Sequence, residues 1–382
     1  MKRILLIAAA LLSACLALEA QIVRNPIVVP DIPGYTTLKG DLHIHTVFSD
    51  GKVWPSTRVD EAILEGLDYI AITDHVDGRH MKLVHEGLFN CDRDKGYQVA
   101  KAYAKGTGVI VIHGGEITRG MPPGHCNATF IKDNDAIGDA SDAHEDHFAG
   151  MMAGLKVARE QGGFLVWNHP HWSRQAPNKT EWHKEHSAIF DAGLMDGIEI
   201  FNQYDGYSPE AHHWAVEKKL TVVSGTDAHY LLSNWLNYAG GALRPVNLTF
   251  VTERSANGIR KALDAGRNAV FAEGKVYGPE EFLRPLVDAI LTVESVKSTP
   301  KKVTVKIHNG TSVPVFLEKT GGEKYGYTRG LEIAPGADYP IVATPAEYGT
   351  EFTETSIDLT YKVSNFFVDA GVPLEYTIHV DR

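Results

Sequence analysis

The sequence predicts an α/β protein: a distorted seven-stranded (β/α) barrel followed by a C-terminal all-β, sandwich-like domain. Three observations carry this. Seven strand-like runs alternate with helix-like stretches between residues 37 and 226. Several of these runs are continuously apolar, as strands covered on both faces by helices are. From about Leu286 the texture changes to short alternating runs separated by Gly, Pro and Asn.

The chain has 382 residues, enough for one large domain and a smaller one. Met1-Lys-Arg followed by apolar Ile4–Leu12 has the basic start and brief apolar core of a secretory signal, too short to span a bilayer. Residues 1–20 are therefore expected to be a signal peptide, cleaved between Ala20 and Gln21. The product is an exported protein, periplasmic or extracellular, without a transmembrane segment. Leu12-Ser-Ala-Cys15 also reads as a lipobox, whose processing would leave Cys15 as a lipid anchor. Residues 21–36 form an N-terminal extension.

The barrel is expected over 37–285. Its strands are Thr37–His45, Tyr69–Thr73, Val109–Ile117, His125–Ile131, Gly163–Asn168, Gly197–Asn202 and Leu220–Thr226. Helical periodicity marks Arg58–Glu65, Tyr97–Ala104, Phe148–Glu160 and Pro209–Lys218. A strand at Val246–Val251 and a helix at Ser255–Ala265 finish this unit. The second domain, 286–382, shows alternation at Leu291–Val296, Lys302–Ile307, Val313–Glu318 and Leu374–Val380. It holds no ligand cluster, so its expected role is to close the barrel or to build a homo-oligomer.

Lys+Arg number 37 and Asp+Glu 48, a formal charge of −11, which argues against a nucleic-acid scaffold or an anionic membrane as partner. An anionic substrate stays open, because bound cations make a pocket locally positive on an acidic protein. After signal removal only Cys91 and Cys126 remain, too few for a disulfide framework. Both are expected to be ordinary thiols, with Cys126 facing away from the metals.

The chemistry concentrates where the apolar runs end. Gly40-Asp-Leu-His-Ile-His-Thr-Val-Phe-Ser-Asp-Gly51 places His43 and His45 on one face of a strand, since strand side chains alternate. Thr73-Asp74-His75, Gly115-Glu116, Asn168-His169-Pro170 and Gly225-Thr226-Asp227-Ala228-His229 end four more runs. In parallel barrels the C-terminal rim carries the chemistry, so these residues are expected to converge there.

As an ordered set, with Ser49-Asp50-Gly51 and His125, these motifs resemble the PHP (polymerase and histidinol phosphatase) family of metal-dependent hydrolases, over about Thr37 to Ala272. Ile27–Tyr35 and Glu116–His125 are similar to exported bacterial phosphodiesterases related to the Sphingobium organophosphate phosphodiesterase. The resemblance implies the PHP-type barrel and three divalent transition-metal ions. His43, His45, Glu116 and Asp227 would hold the first ion. Glu116, His125 and His169 would hold the second, and Asp50, His75 and His229 the third. Asp50 stands where family members use His. Glu116 and Asp227 are the expected catalytic carboxylates. Imidazole and carboxylate donors suit zinc first, then manganese or iron.

Phosphoester oxygens repel a nucleophile, and metals answer by acidifying water into a hydroxide and neutralising the transferring group. Arg79 and Arg174, ahead of Arg119 and His171, follow metal-bearing strands and are the expected phosphate contacts. Asp74, Asn168 and Pro170 read as supports. The acidic stretch Asp139–His147 reads as a solvated loop and helix start. Trp172, Trp182, Trp214 and Trp235 read as packing residues or as the pocket mouth. The expected activity is hydrolysis of small phosphodiesters, with monoesters as further substrates. The alternatives are an amidohydrolase-type C–N hydrolase and an exported non-enzymatic metal-binding protein. Seven strands, His75 after the second of them, and the lack of a lysine at the mid-barrel strand ends all argue against the amidohydrolase.

Overall fold

The computed structural model describes residues 26–77, 92–174, 179–321 and 324–382. The expected signal peptide with Cys15, and Arg79 and Cys91, lie outside the described residues.

The seven expected strands form: β1 Thr36–Asp41, β2 Tyr69–Ile72, β3 Ile110–Thr118, β4 His125–Thr129, β5 Phe164–Trp167, β6 Gly197–Asn202 and, after the two-residue β7 Gly206–Tyr207, β8 Thr221–Gly225. Every residue of β2, β5, β6 and β8 is buried, which is why these runs carry no polar alternation. Helices α1 Pro55–Glu65, α2 Lys95–Tyr103, α3 Asn134–Asp142, α4 His147–Glu160, α5 Lys184–Asp191 and α6 Pro209–Lys218 cover the sheet. Asp133, Asp146 and Ser208 accept from backbone N–H groups in the first turns of α3, α4 and α6. The acidic stretch at 139–147 is thereby explained: Asp139 and Asp142 meet Arg93, and Asp146 caps a helix.

Two features depart from a regular parallel barrel. Strand β4 runs antiparallel to both β3 and β5, so its first residue, His125, stands opposite Thr118 at the end of β3. A strand's N-terminal residue therefore reaches the same rim as its neighbours' C-terminal residues. The second departure is the seam between β8 and β1, where no ladder forms. Strand β1 stops at Asp41 rather than His45, because side chains take over its backbone groups. Asp41 accepts from His43 N, and Thr73 Oγ1 from Ile44 N (3.1 and 2.9 Å). The seam is closed by Asp227 N to His43 O (2.8 Å), a single Ile44–Ala228 bridge, and buried Asn247, which binds Ser224 N and O.

Beyond the barrel, β9 Val246–Val251 pairs antiparallel with β1, and after helix α7 Ala256–Asp264 come β10 Asn268–Ala272 and β11 Lys275–Tyr277. Helix α8, Glu280–Ile290, buries Phe282, Leu283, Leu286, Val287 and Ile290, one face at helical spacing. The C-terminal domain is a sandwich. One sheet holds β12 Leu291–Thr299, β13 Lys302–Asn309, β15 Tyr325–Tyr327 and β17 Asp338–Pro345. The other holds β14 Val315–Lys319, β16 Gly330–Ile333, β18 Ser356–Asp369 and β19 Val372–Asp381. Val303, Val305 and Ile307 of β13 face inward in strict alternation. Strand β18 also pairs in parallel with β11, so the barrel sheet continues into the sandwich. One buried cluster accordingly runs from Phe250 and Phe271 through α8 to Leu359 and Val363.

Candidate metal centre

Nine side chains meet at the rim. His43, His45 and Asp50 follow β1, and His75 follows β2. Glu116 lies on β3, His125 opens β4, His169 follows β5, and Asp227 and His229 follow β8. The spacing is that of groups sharing ions. His45 Nε2 lies 3.2 Å from His43 Nε2 and 3.0 Å from Asp227 Oδ1. Glu116 Oε1 is 3.1 Å from His125 Nδ1 and 3.5 Å from His169 Nε2, and its Oε2 is 2.9 Å from His75 Nδ1. Asp50 Oδ1 stands 3.0 Å from His229 Nε2 and 3.4 Å from His75 Nε2.

Donor atoms within 4.8 Å of one another form overlapping sets that could each hold a cation. These are His43–His45–Glu116, His43–His169–Asp227, Glu116–His125–His169 and His45–Asp50–His75–His229. Borderline nitrogen and hard oxygen donors in such sets fit zinc, manganese or iron.

Neighbouring groups aim these rings. His43 Nδ1 lies 3.2 Å from Glu199 Oε1, and His45 Nδ1 3.3 Å from Ser49 Oγ. His229 Nδ1 donates to Asp227 O at 2.6 Å. Each of these three rings thus presents Nε2 to the centre. Asp74 accepts from Thr46 N, Thr46 Oγ1 and Ser49 Oγ, which fixes the turn carrying Asp50 and places Asp74 as a support. Asn168 Nδ2 donates to Glu116 Oε1 at 2.9 Å. Two site residues occupy left-handed backbone, His169 at φ 29° and Asp227 at φ 53°, strain of the kind that persists where surrounding structure over-determines it. Gly225 lets β8 approach: a Cβ there would run into Glu199 Oε1 and His43 Cβ.

Burial opposes charge throughout, and neighbours decide the outcome. Around Glu116, His75, His125 and His43 outweigh burial and hold its carboxyl well below the usual range. Asp227 is lowered against burial by His43 and His45. Burial takes His45 down to about 3, helped by His229 and His75. For His43, burial is outweighed by Asp227, Glu199 and Glu116, and its affinity for a proton rises. Glu116 and Asp227 are thus held anionic and ready to ligate, and a cation would displace the proton that His43 otherwise attracts.

Beside this cluster lies a cavity of about 520 Å³, lined by His125, His169, Asp227 and His229 of the cluster together with Lys52, Trp172, Arg174, Tyr204, Asp205, Tyr230 and Trp235. Arg174 is exposed, its guanidinium carbon 5.8 Å from the centre of the Trp172 ring. Arg119 is not available to a substrate: it is buried and gives its donors to Ser141 and His144. His171 is turned to Thr180 Oγ1 at 2.8 Å. Trp172 and Trp235 line the cavity, whereas Trp182 and Trp214 pack against Trp167 in the core. Cys126 faces the apolar core, free and buried, and burial raises its thiol.

Sequence reading missed Glu199, Lys52, Tyr204 and Asp205. Glu199 carried a usable signal, a carboxylate inside the apolar run Gly197–Asn202.

Comparison with known proteins shows the family. A two-domain protein from Bacteroides vulgatus, described as containing a predicted PHP-like metal-dependent phosphoesterase, shares 36% identity with a TM-score of 0.84. The match covers 94% of this chain and 100% of that one. The chain belongs to this PHP-like metal-dependent phosphoesterase family. A family model described as an Ig-like domain (DUF5001) matches residues 291–379. A proposed metal-dependent phosphoesterase from Bifidobacterium adolescentis aligns at 18% identity and TM-score 0.38, over 50% of this chain and 87% of its own. An amidohydrolase from Chromobacterium violaceum aligns at 16% and 0.36, over 51% and 89%. No curated protein matches. No helix of the described residues is long and apolar enough to cross a membrane.

Proposed function

We propose that this protein is an exported phosphodiesterase that hydrolyses small phosphodiesters, with monoesters as secondary substrates, at a centre of three divalent metal ions, zinc foremost. One observation carries the reading: six imidazoles and three carboxylates from six strands converge beside a cavity whose outer wall bears Lys52 and Arg174. Ions bound there would supply an acidified attacking water and neutralise the transferring phosphoryl group.

The chain's own residues do the rest. Glu116, at the middle of the donor sets, would bridge two ions, with Asn168 holding its carboxylate in line. Asp227, left-handed and fixed through its backbone N–H to His43 O, stays anionic at the rim. Arg174 and Lys52 would hold phosphate oxygens from the solvent side, where a guanidinium can make two parallel hydrogen bonds. Arg79 is assigned the same role from its sequence position. The cavity volume of about 520 Å³ is compatible with a small diester. Export rests on the signal-like residues 1–20.

The test is a panel of phosphomonoesters and phosphodiesters assayed with metal-reconstituted protein, beside elemental analysis. More than one ion per chain and higher kcat/KM on diesters is the expected result. Full activity in a strong chelator, or hydrolysis confined to C–N substrates, would overturn it.

A further inference from the structure

Part of the cavity lining is aromatic and exposed. Tyr204, Tyr230 and Trp235 are 38%, 45% and 52% exposed, and they adjoin one another at the mouth of one cavity. Tyr204 and Trp235 ring centres stand 5.0 Å apart at 86°, and those of Tyr230 and Trp235 6.0 Å apart. The Tyr204 ring is 6.2 Å from His229, so this surface begins one ring's width from the donor cluster. Trp172, on the same cavity lining, lies 5.3 Å from His169.

Exposed aromatic surface is usually mobile or incidental. Here, buried charges hold the backbone of the loop that bears Tyr230 and Trp235. Arg58, 1% exposed, donates to Tyr230 O at 2.9 Å, to Ala228 O at 2.6 Å and to His45 O at 3.0 Å. Its partner Glu61 accepts from Leu232 N at 2.8 Å, starting the short helical turn whose end fixes Trp235. Tyr204 Oη accepts from His229 N at 3.4 Å. The same guanidinium thus holds the turn carrying His45 and the loop carrying Tyr230 and Trp235, which sets the distance between them.

A solvent-facing π surface beside the donor cluster has the chemistry to stack a planar ring. We propose that Tyr204, Tyr230 and Trp235 form a subsite for a planar aromatic ester group, aryl or nucleobase, on the phosphodiester substrate. This rests on the phosphodiesterase reading above. Trp235 supplies the larger face, and a planar ring gains from the π contact where a saturated ring of equal size gains only burial.

The experiment measures inhibition of metal-loaded protein by methyl-, cyclohexyl- and phenylphosphonate, and by a nucleoside 5′-phosphonate, against a dialkyl phosphodiester substrate. The substitutions are Trp235→Ala, Trp235→Leu and Trp235→Phe. Phenylphosphonate is expected to bind on the order of tenfold tighter than the cyclohexyl compound. Trp235→Ala and Trp235→Leu should each erase about tenfold of the phenyl-to-methyl ratio of Ki values, with Trp235→Phe restoring most of it. The nucleoside compound separates a nucleobase from a simple aryl group by the same ratio. Equal Ki for phenyl and cyclohexyl, or a ratio unmoved in Trp235→Ala, overturns the aromatic subsite while the phosphodiesterase reading stands. Absence of dialkyl phosphodiester hydrolysis by the metal-loaded protein strikes that reading itself.

Discussion

Replacing Glu199 with Gln should weaken metal binding without touching a single proposed ligand. Glu199 is 2% exposed, and both its oxygens are occupied: Oε1 faces His43 Nδ1 at 3.2 Å, while Oε2 accepts from His169 N at 2.6 Å and from Asn202 Nδ2 at 3.2 Å. Glutamine fills the same space beside Gly225 but offers only one acceptor oxygen. Turned one way, its amide N–H group meets His169 N and Asn202 Nδ2, two donors. Turned the other way, it meets His43 Nδ1. His43 could accept that bond only as the tautomer protonated at Nε2, which removes the lone pair aimed at the centre. An unmatched buried donor costs about 1–3 kcal/mol, and outer partners of metal-bound histidines are worth about 10- to 100-fold in affinity. Both scales give the same expectation, a 10- to 100-fold loss. Zinc titration of metal-free Glu199→Gln against a chromophoric chelator measures it, with circular dichroism checking the fold. Affinity within about twofold of wild type, in a folded variant, would refute the argument that Glu199 sets the His43 ring.

Three further outcomes are expected. Arg174→Ala should lower kcat/KM by about ten- to a thousandfold with metal content unchanged, and Arg174→Lys should recover part of this, since lysine keeps the charge but not the bidentate geometry; wild-type kinetics in Arg174→Ala would return the residue to the solvent. His186, whose Nε2 donates to Pro123 O at 2.7 Å and whose ring stacks on Trp167, is lowered by burial to about 4. The unfolded chain takes up this proton near pH 6.5, so the contribution of neutral His186 is complete above that pH and is lost as pH falls towards 4, by about 2 kcal/mol at pH 5. Denaturant melts of His186→Gln should show that much less destabilisation between pH 7 and 5, and an unchanged pH dependence would contradict the assignment. Ending the chain after Ile290 should yield aggregated protein, because the α8 face and the β11 edge lose their partners in β12, β18 and β19, costing on the order of 5 kcal/mol of a domain's usual 5–15; a soluble, metal-loaded truncation by size exclusion and elemental analysis would show the barrel to be independent.

The sequence by itself determined what repeats locally. Seven apolar runs emerged as β1 to β6 and β8, and α6 matches its helical stretch end for end, because burial and periodicity are written residue by residue. The His-x-His after β1 and the Asp-Ala-His after β8 showed their donors for the same reason. The long β18 also alternates through Ile357, Leu359, Tyr361 and Val363, a signal the reading passed over. Tertiary structure alone decided the rest. The reversal of β4 is set by which strands it lies between, not by its own five residues, and it puts His125 on the rim from the wrong end of a strand. Arg119 and Arg174 are both arginines following or near metal-bearing strands, yet one is buried against Ser141 and the other lines the cavity. Glu199 became an anchor only because β6 passes behind His43 and His169, 156 and 30 residues away in sequence. Local propensity fixes a side chain's face; only closure of the chain fixes which distant atom that face will meet.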